Sequence, residues 1–167
     1  MQVRRTGLVT LLLVALLAGA AGAHSLTYES ETGPLFCFSV PREWGFRIDG
    51  DRLVAAPADS SMWFGTWEME KHDEADPAFR DAATYLSAWF QDVQAGEVQR
   101  TPLNGMEARR VDGTATHNGR LVRFSLVLFE PRPKAICVAL GVWADETRDR
   151  MGPIEAALGS LRPAPGG

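Results

Sequence analysis

Two cysteines, Cys37 and Cys137, are the only thiols in the sequence and the first residues that could do chemistry. Each lies in an apolar run typical of a strand, LFCFSV and AICVALGVW. Because side chains alternate along a strand, each cysteine falls on the face opposite the heavier apolar residues of its run, which is compatible with the two sulfurs meeting. We predict a Cys37–Cys137 disulfide if the chain is exported, with two separately buried free thiols as the alternative. Neither cysteine has a histidine close in sequence, which argues against a catalytic thiol.

Three histidines, His24, His72 and His117, are the candidate metal ligands. His24 follows small residues that fit a signal-peptidase site, and cleavage there would give it a free α-amine beside its imidazole. Such a pair binds copper when a second histidine approaches, here His72 or His117. The rest of the sequence offers no further copper-site feature, so we interpret His24 as a frayed terminus and predict neither a metal nor a cofactor. The segment HDEAD at 72–76 lacks the regular oxygens and turn glycine of a calcium loop and is interpreted as a solvated acidic loop.

Tryptophans form the remaining chemical lead. Alternation along MWFGTWEM puts Trp63 and Trp67 on one face of a predicted strand and Phe64 on the other. A strand with aromatic residues on both faces is usually covered on both sides, so burial in the core is one interpretation. The other is an exposed aromatic strip, beside Trp44 and with Trp143 at its rim, that holds a ligand or a partner protein.

Motifs for catalysis are not found in this sequence. It contains no G-x-S-x-G, H-E-x-x-H, G-x-G-x-x-G or G-x-x-x-x-G-K-[ST]. A serine–histidine–aspartate triad would need His72 or His117, both of which lie in segments that are predicted to turn. We therefore predict a protein that is not an enzyme.

The first 23 residues predict export. Arg4 and Arg5 precede the apolar stretch LVTLLLVALL, and Ala21-Gly22-Ala23 fits the cleavage pattern before His24, with Ala18-Gly19-Ala20 as a second possible site. The apolar stretch is too short for a retained membrane anchor, and no cysteine follows it for lipid attachment. We therefore expect Sec-type export to the periplasm or the medium, with no stable membrane span after cleavage.

Composition limits the class of partner. The chain has 167 residues, a length that suits one domain, and loss of the two leader arginines changes its formal net charge from -4 to -6. A negatively charged chain without a run of lysine or arginine is not expected to bind nucleic acid. We predict another envelope or extracellular protein as the partner.

Local patterns predict strands, one long helix, more strands and a closing helix. Turn signals at Asp49-Gly50 and Asn118-Gly119 predict tight hairpins. The long helix is expected to start at Asp76-Pro77, with Asp76 as its N-cap, and to end near Gly96. Its predicted buried face is Phe79, Ala82, Ala83, Leu86, Trp89, Phe90 and Val93. The predicted strands are 35–40, 45–48, 53–56, 62–69, 97–101, 106–116, 120–129 and 135–143, and a second helix, broken at Gly152-Pro153, is predicted for 146–161.

This order of elements predicts an α+β fold in which an antiparallel sheet is flanked by helices. The segment FCFSVPREWGFRIDGDRLVAAP resembles the opening motif of the Mog1/PsbP-like superfamily, an apolar strand that ends at proline and is followed by tryptophan. The segments PLNGMEARR and IEAALGSLRP are similar to the second half of that family. The resemblance spans roughly 26–162 and implies an α/β/α sandwich. It implies little about activity, since members range from photosystem accessory proteins to a nuclear-transport factor and secreted bacterial proteins.

The expected organisation is a signal peptide at 1–23, an N-terminal segment at 24–34, one Mog1/PsbP-like domain at 35–162 and a frayed tail at 163–167. The predicted function is an exported, non-enzymatic accessory or protein-binding module, which should show an exposed apolar patch and no deep polar pocket. A small-ligand carrier would instead show an enclosed aromatic cavity lined by Trp63, Trp67 or Trp143. A metal-binding protein would bring His24 together with other ligands.

Overall fold

The computed structural model describes residues 22–165, apart from the side chains of 148–150. Almost all of the predicted signal peptide lies outside the described residues, as do residues 166–167 of the predicted tail. Within the described part of the chain, neither helix has the length and apolar character needed to cross a membrane.

Strands dominate the described chain. They are β1 (Ala23–Ser30), β2 (Gly33–Pro41), β3 (Gly45–Asp49), β4 (Arg52–Ala56), β5 (Met62–Glu68), β6 (Gln91–Ala95), β7 (Gln99–Arg100), β8 (Ala108–His117), β9 (Arg120–Arg132), β10 (Ala135–Ala144) and β11 (Arg162–Pro163). The helices are α1 (Ala75–Trp89) and α2 (Gly152–Gly159), and a short 3-10 segment (Asp145–Arg150) precedes α2.

The strands form two antiparallel sheets. The large sheet has the order β3-β4-β5-β10-β9-β8-β6, with β7 also paired to β8, and the small sheet has the order β1-β2-β11. Both predicted hairpins form, and the Asn118-Gly119 turn is confirmed, since both residues have positive φ. The other turn lies one residue later than predicted, at 50–51, because Asp49 pairs with Arg52 and only Gly50 of the predicted pair has positive φ. These turns join β3 to β4 and β8 to β9, so the two hairpin connections follow from the residues at the turns.

Each face of the large sheet covers a separate core. On β10, Val138 and Leu140 pack with Ala82 and Leu86 of α1. The alternate residues of β10 face the small sheet and α2, where the cluster includes Phe36, Phe38, Phe64, Phe129, Cys137, Ala139 and Ile154. The predicted antiparallel sheet with two helices is therefore present. The implied α/β/α sandwich describes it incompletely, because a second sheet shares one face with α2.

The ends of the described chain join this second sheet. The predicted N-terminal segment at 24–34 is mostly a strand, β1, which buries Leu26 and Tyr28 against the core. Arg162 pairs with Cys37 of β2, and the backbone N–H of Ala164 donates to the carbonyl of Leu35 at 3.0 Å. Residues 162–164 are thus held against β2, whereas the sequence predicts that the frayed tail starts at 163.

The long helix is shorter than its apolar periodicity predicts. It begins after Glu74, and Asp76 is not the N-cap but lies in the first turn, where its carboxylate accepts a hydrogen bond from Arg109. That guanidinium lowers the pKa of Asp76. Phe90 is already extended, with φ −127° and ψ 151°, and the chain continues as β6 along β8. Pairing with β8 thus ends the helix earlier than its apolar periodicity predicts. Gly96, the predicted C-cap, instead lies beside β8, where its N–H donates to the carbonyl of Asp112.

The second helix is broken where proline predicts a break. Pro153 lies in the first turn of α2. Proline is favourable there because N–H groups in the first turn have no acceptor within the helix, so its lack of an N–H costs no hydrogen bond. Ile154 in the same turn is completely buried and packs on Gly141 of β10. A side chain at Gly141 would occupy the space of Ile154, so this glycine sets how closely α2 approaches the sheet.

Candidate functional site

A cleft of about 870 Å³ opens on the α1 face of the large sheet, beyond the C-terminal end of the helix. Its floor is β5, which contributes Trp63, Gly65 and Trp67, and Trp89 at the end of α1 forms a wall. We call this site the tryptophan cleft. Its other lining residues come from the end of α1, the β3–β4 and β8–β9 hairpins, the β4–β5 loop, β10 and the 3-10 segment. They include Arg47, Asp49, Arg52, Asp59, Ser60, Ser61, Phe90, His117, Asn118, Arg120 and Glu146.

Gly65 keeps the floor of the cleft open. A Cβ atom at this position would lie 3.1 Å from the ring of Trp63, which is closer than ordinary van der Waals contact. Trp63 therefore lies across the glycine instead of standing away from the sheet. The glycine between the two tryptophans thus lets the Trp63 ring cover the strand at the floor of the cleft.

The rings of Trp67 and Trp89, which line the cleft, contact each other and the ring of Tyr85, which lies outside it. The ring of Trp67 lies 5.8 Å from that of Trp89 and 6.4 Å from that of Tyr85, both edge to face. The guanidinium of Arg52 lies 4.7 Å from the centre of the Trp89 ring. Edge-to-face contacts and a cation over a ring are both favourable, so the positions of these side chains are determined by mutual contact.

The polar rim carries both signs of charge. Arg47, Arg52 and Arg120 line the cleft, and so do three carboxylates, those of Asp49, Asp59 and Glu146. Hydrogen-bond donors and acceptors are therefore both present, without a large excess of either charge.

His117 contacts a backbone carbonyl, a side-chain amide and an aromatic ring. Its Nδ1 is 3.4 Å from the Trp89 carbonyl, its Nε2 is 3.2 Å from the Asn118 amide nitrogen, and its ring lies against Phe90. No carboxylate orients the imidazole in these contacts. These contacts hold the imidazole between the C-terminal end of α1 and the β8–β9 turn.

Only part of the predicted aromatic surface lies in this cleft. Trp63 and Trp67 both line it, but Trp67 is only 4 % exposed and belongs to the core under α1, so Trp63 is the partly exposed member of the predicted strip. Trp44 and Trp143 are each only 4 % exposed and pack in the core beneath the small sheet, so the interpretation that they join an exposed strip is wrong. The chain between β2 and β3 carries the Trp44 ring into that core, and Trp143 borders only the end of the cleft.

Trp89 is the cleft residue that sequence reasoning missed. Helical periodicity assigns it to the buried face of α1, together with Phe90 and Val93. In the structure the helix ends at Trp89, so its ring is only partly buried and reaches β4 and β5. A large aromatic residue in the last turn of an amphipathic helix was the available signal.

The predicted disulfide is not formed, and Cys37 and Cys137 are both free and buried. Cys137 faces the core that contains Phe36 and Phe38. Cys37, between these two phenylalanines on β2, points to the other side of the small sheet, and its sulfur lies 3.3 Å from the hydroxyl of Thr27. The strand itself therefore separates the two sulfurs. Burial raises the pKa of the Cys137 thiol well above its usual value, which makes it a poor nucleophile.

Thiol labelling tests this arrangement. We expect neither cysteine to react with iodoacetamide in the folded protein, because both are buried, and both to react after denaturation without a reductant. Mass spectrometry counts the added carbamidomethyl groups, and a sample denatured with reductant gives the full count as the control. A protein that gains the labels only when a reductant is present would restore the disulfide.

The three histidines lie in different surroundings. His24 contacts the ring of Phe46, His72 lies 2.7 Å from a carboxylate oxygen of Asp81, and His117 lies in the tryptophan cleft. Across residues 22–165, with side chains considered where they are described, no three metal-ligating residues are grouped for a metal ion. The proposed pairing of His24 with His72 or His117 therefore finds no support in the geometry.

Comparison with known proteins identifies the fold. The sequence matches no protein-family model and no curated protein. Among solved structures, the cyanobacterial PsbP (CyanoP) of Synechocystis sp. PCC 6803 is similar with a TM-score of 0.59 and 12% identity, covering 90% of this chain and 98% of that one. The chain has a Mog1/PsbP-like fold. The Pseudomonas aeruginosa protein of unknown function PA94 is also similar, with a TM-score of 0.55 and 17% identity over 85% of this chain and 99% of that one.

The Mog1/PsbP-like fold accounts for the antiparallel sheet and its helices but leaves the ligand open. At these identities a likeness indicates architecture alone, since one fold hosts many functions. The function must therefore be argued from the tryptophan cleft itself.

Proposed function

We propose that this protein is an exported, non-enzymatic binding protein whose ligand site is the tryptophan cleft. The observation that carries the proposal is a cleft of about 870 Å³ with an aromatic floor and a polar rim of both charges. Small-molecule sites are typically clefts of about 300–1,000 Å³ with apolar or aromatic linings and a few converging polar groups. The cleft has those properties. A flat docking surface would lack the depth and the converging rim.

The lining indicates the chemistry of the ligand. The ring of Trp63 favours a molecule with a flat apolar face or ring, and Trp89 adds an aromatic wall that also carries the Arg52 guanidinium. The balanced rim of arginines and carboxylates favours a ligand with both hydrogen-bond donors and acceptors and little net charge. We infer a compact, near-neutral amphipathic molecule, or a segment of a partner that presents such a group.

Two further parts of the proposal, export and the absence of catalysis, rest mainly on the sequence. The charged start, apolar stretch and small residues of 1–23 support export. The lack of nucleophile motifs and the contacts of His117 with a carbonyl and an amide support binding without turnover. A protein partner is the second candidate, favoured by the exposure of Phe46 and Ile48 on β3.

The fluorescent probe N-phenyl-1-naphthylamine, which is flat and uncharged, tests the cleft. We expect saturable binding to the wild-type protein and at least about tenfold weaker binding to Trp89→Ala, since one lost aromatic wall is worth about 1.4 kcal/mol or more. Fluorescence titration, excited beyond the tryptophan absorption band, measures the affinities. Mass spectrometry of material extracted from protein purified out of its native compartment would then identify the natural ligand.

Phe46→Ala is the matched control, because Phe46 is an exposed aromatic residue that does not line the cleft. Its affinity for the probe should equal that of the wild type. If Trp89→Ala binds the probe as well as the wild type does, or if Phe46→Ala weakens binding equally, the tryptophan cleft is not the site.

A further inference from the structure

Strand β3 is an open edge of the large sheet. It pairs with β4 on one side and has no neighbour on the other among the described residues. All five of its residues are exposed, including Phe46 and Ile48 with exposed fractions of 38% and 46%. An exposed edge that carries apolar side chains is a template for pairing with another strand.

The hairpin determines which backbone groups are available at this edge. Asp49 pairs with Arg52 across the two-residue turn at 50–51, so these two residues exchange hydrogen bonds across the ladder. Alternation then directs the N–H and C=O of Arg47 towards β4 as well. The corresponding groups of Phe46 and Ile48 point away from the sheet, where a second strand can reach them.

We propose that β3 pairs antiparallel with β3 of a second copy of this chain, about a two-fold axis at Ile48. In that register Ile48 exchanges hydrogen bonds with the partner's Ile48. Arg47 then lies opposite the partner's Asp49, and Asp49 lies opposite the partner's Arg47. The strand is self-complementary in charge, as the two-fold interface of a homodimer requires.

The neighbouring registers are unfavourable. Moving the two-fold axis by one residue to Arg47 would place this arginine opposite its own copy, and moving it to Asp49 would place two aspartates together. Like charges directly opposite each other destabilise an antiparallel pair, whereas opposite charges stabilise it. The alternation of arginine, isoleucine and aspartate therefore favours the register centred on Ile48 over both of its neighbours.

The pairing would also change the tryptophan cleft. Arg47 and Asp49 line this cleft, and strands that pair edge to edge about such an axis present the same sheet face on the same side. Both clefts would then open on one face of a continuous sheet. Each would have the partner's Arg47 and Asp49 at its border.

Charge reversal tests both the partner and the register. The exported protein, purified after expression with its own leader, should be dimeric by analytical ultracentrifugation at about 100 µM, because an interface of one short strand is expected to be weak. Arg47→Asp and Asp49→Arg should each weaken self-association at least about tenfold through like-charge repulsion. An equimolar mixture of the two variants should restore a dimer, since every opposed pair is then of opposite charge.

Native mass spectrometry distinguishes that mixed dimer from either homodimer by mass. Ile48→Lys should also give a monomer, whereas Val98→Lys, which changes an equally exposed residue outside β3, should dimerise like the wild type. Far-ultraviolet circular dichroism checks that each variant is folded. A wild-type monomer at the high concentration, or variants that show no charge pairing in the mixture, would overturn the proposal.

Discussion

Replacement of Phe36 by alanine is expected to lower the free energy of unfolding by about 3–5 kcal/mol, the usual cost of removing a buried aromatic ring. Phe36 is completely buried at the centre of the small sheet. Its ring stacks on Tyr28 at 5.0 Å and meets the edge of Phe129 at 4.9 Å, so it joins β1, β2 and the large sheet. The loss is a large part of the roughly 5–15 kcal/mol that stabilises a domain of this kind.

Urea denaturation, followed by circular dichroism, measures this change. Phe46→Ala is the matched control, because the same substitution at an exposed position should alter the free energy of unfolding by no more than about 0.5 kcal/mol. Equal effects of the two substitutions would mean that the small sheet does not pack on the large sheet as described.

The substitution Gly141→Ala is also expected to lower the free energy of unfolding substantially. A Cβ atom at Gly141 would collide with Cγ2 of Ile154, a β-branched side chain that is completely buried. The helix α2 must shift, so we expect a loss of about 1–3 kcal/mol, the range for overpacked cores. Gly45→Ala is the control, because a Cβ atom at Gly45 meets nothing within 4 Å.

A double-mutant cycle isolates the cause. Ile154→Ala destabilises by itself, by about 2–5 kcal/mol, but it also vacates the space that a Cβ atom at position 141 would enter. In that background Gly141→Ala should cost less than about 0.5 kcal/mol, and the difference between the two backgrounds is the coupling energy. If Gly141→Ala costs the same in both backgrounds, the collision with Ile154 is not the reason for its effect.

Local chemistry explains which parts of the fold could be predicted from the sequence. The hairpins at Gly50 and Asn118-Gly119 follow from positive φ, which is a property of a few adjacent residues. The C-terminal end of α1 could not be obtained in this way. Phe90 and Val93 continue the helical period, and only the pairing of β6 with β8, about twenty residues later in the chain, takes them out of it.

The small sheet was not predicted as a separate sheet for the same reason. Leu26 and Tyr28 alternate as a strand requires, but β11 is two residues long and has no pattern of its own. Its pairing with β2 is a contact between distant parts of the chain. The disulfide prediction was wrong for the same reason. Alternation correctly places Cys37 on the face of β2 opposite Phe36 and Phe38, but it does not show which face of the small sheet packs on the large sheet.

The tryptophan cleft likewise has features that are set by local sequence and features that are set by distant contacts. Alternation placed Trp63 and Trp67 on one face, which is a local property of β5. The contribution of Trp89 depends on where α1 ends, and the burial of Trp44 and Trp143 depends on the small sheet that covers them. A cleft formed by the end of a helix and several hairpins has no signature in any single segment.

The pairing of β11 with β2 has a consequence for the order in which the molecule can fold. Strand β2 lies between β1, near the beginning of the described chain, and β11, near its end, where Asn104 also donates hydrogen bonds to the carbonyls of Gly159 and Leu161. A chain that emerges from a translocation pore N-terminus first cannot complete the small sheet until residues 162–164 have emerged. Closing contacts this distant in sequence slows folding. Completion of the small sheet therefore waits for the C-terminal end of the described chain, whichever compartment the protein folds in.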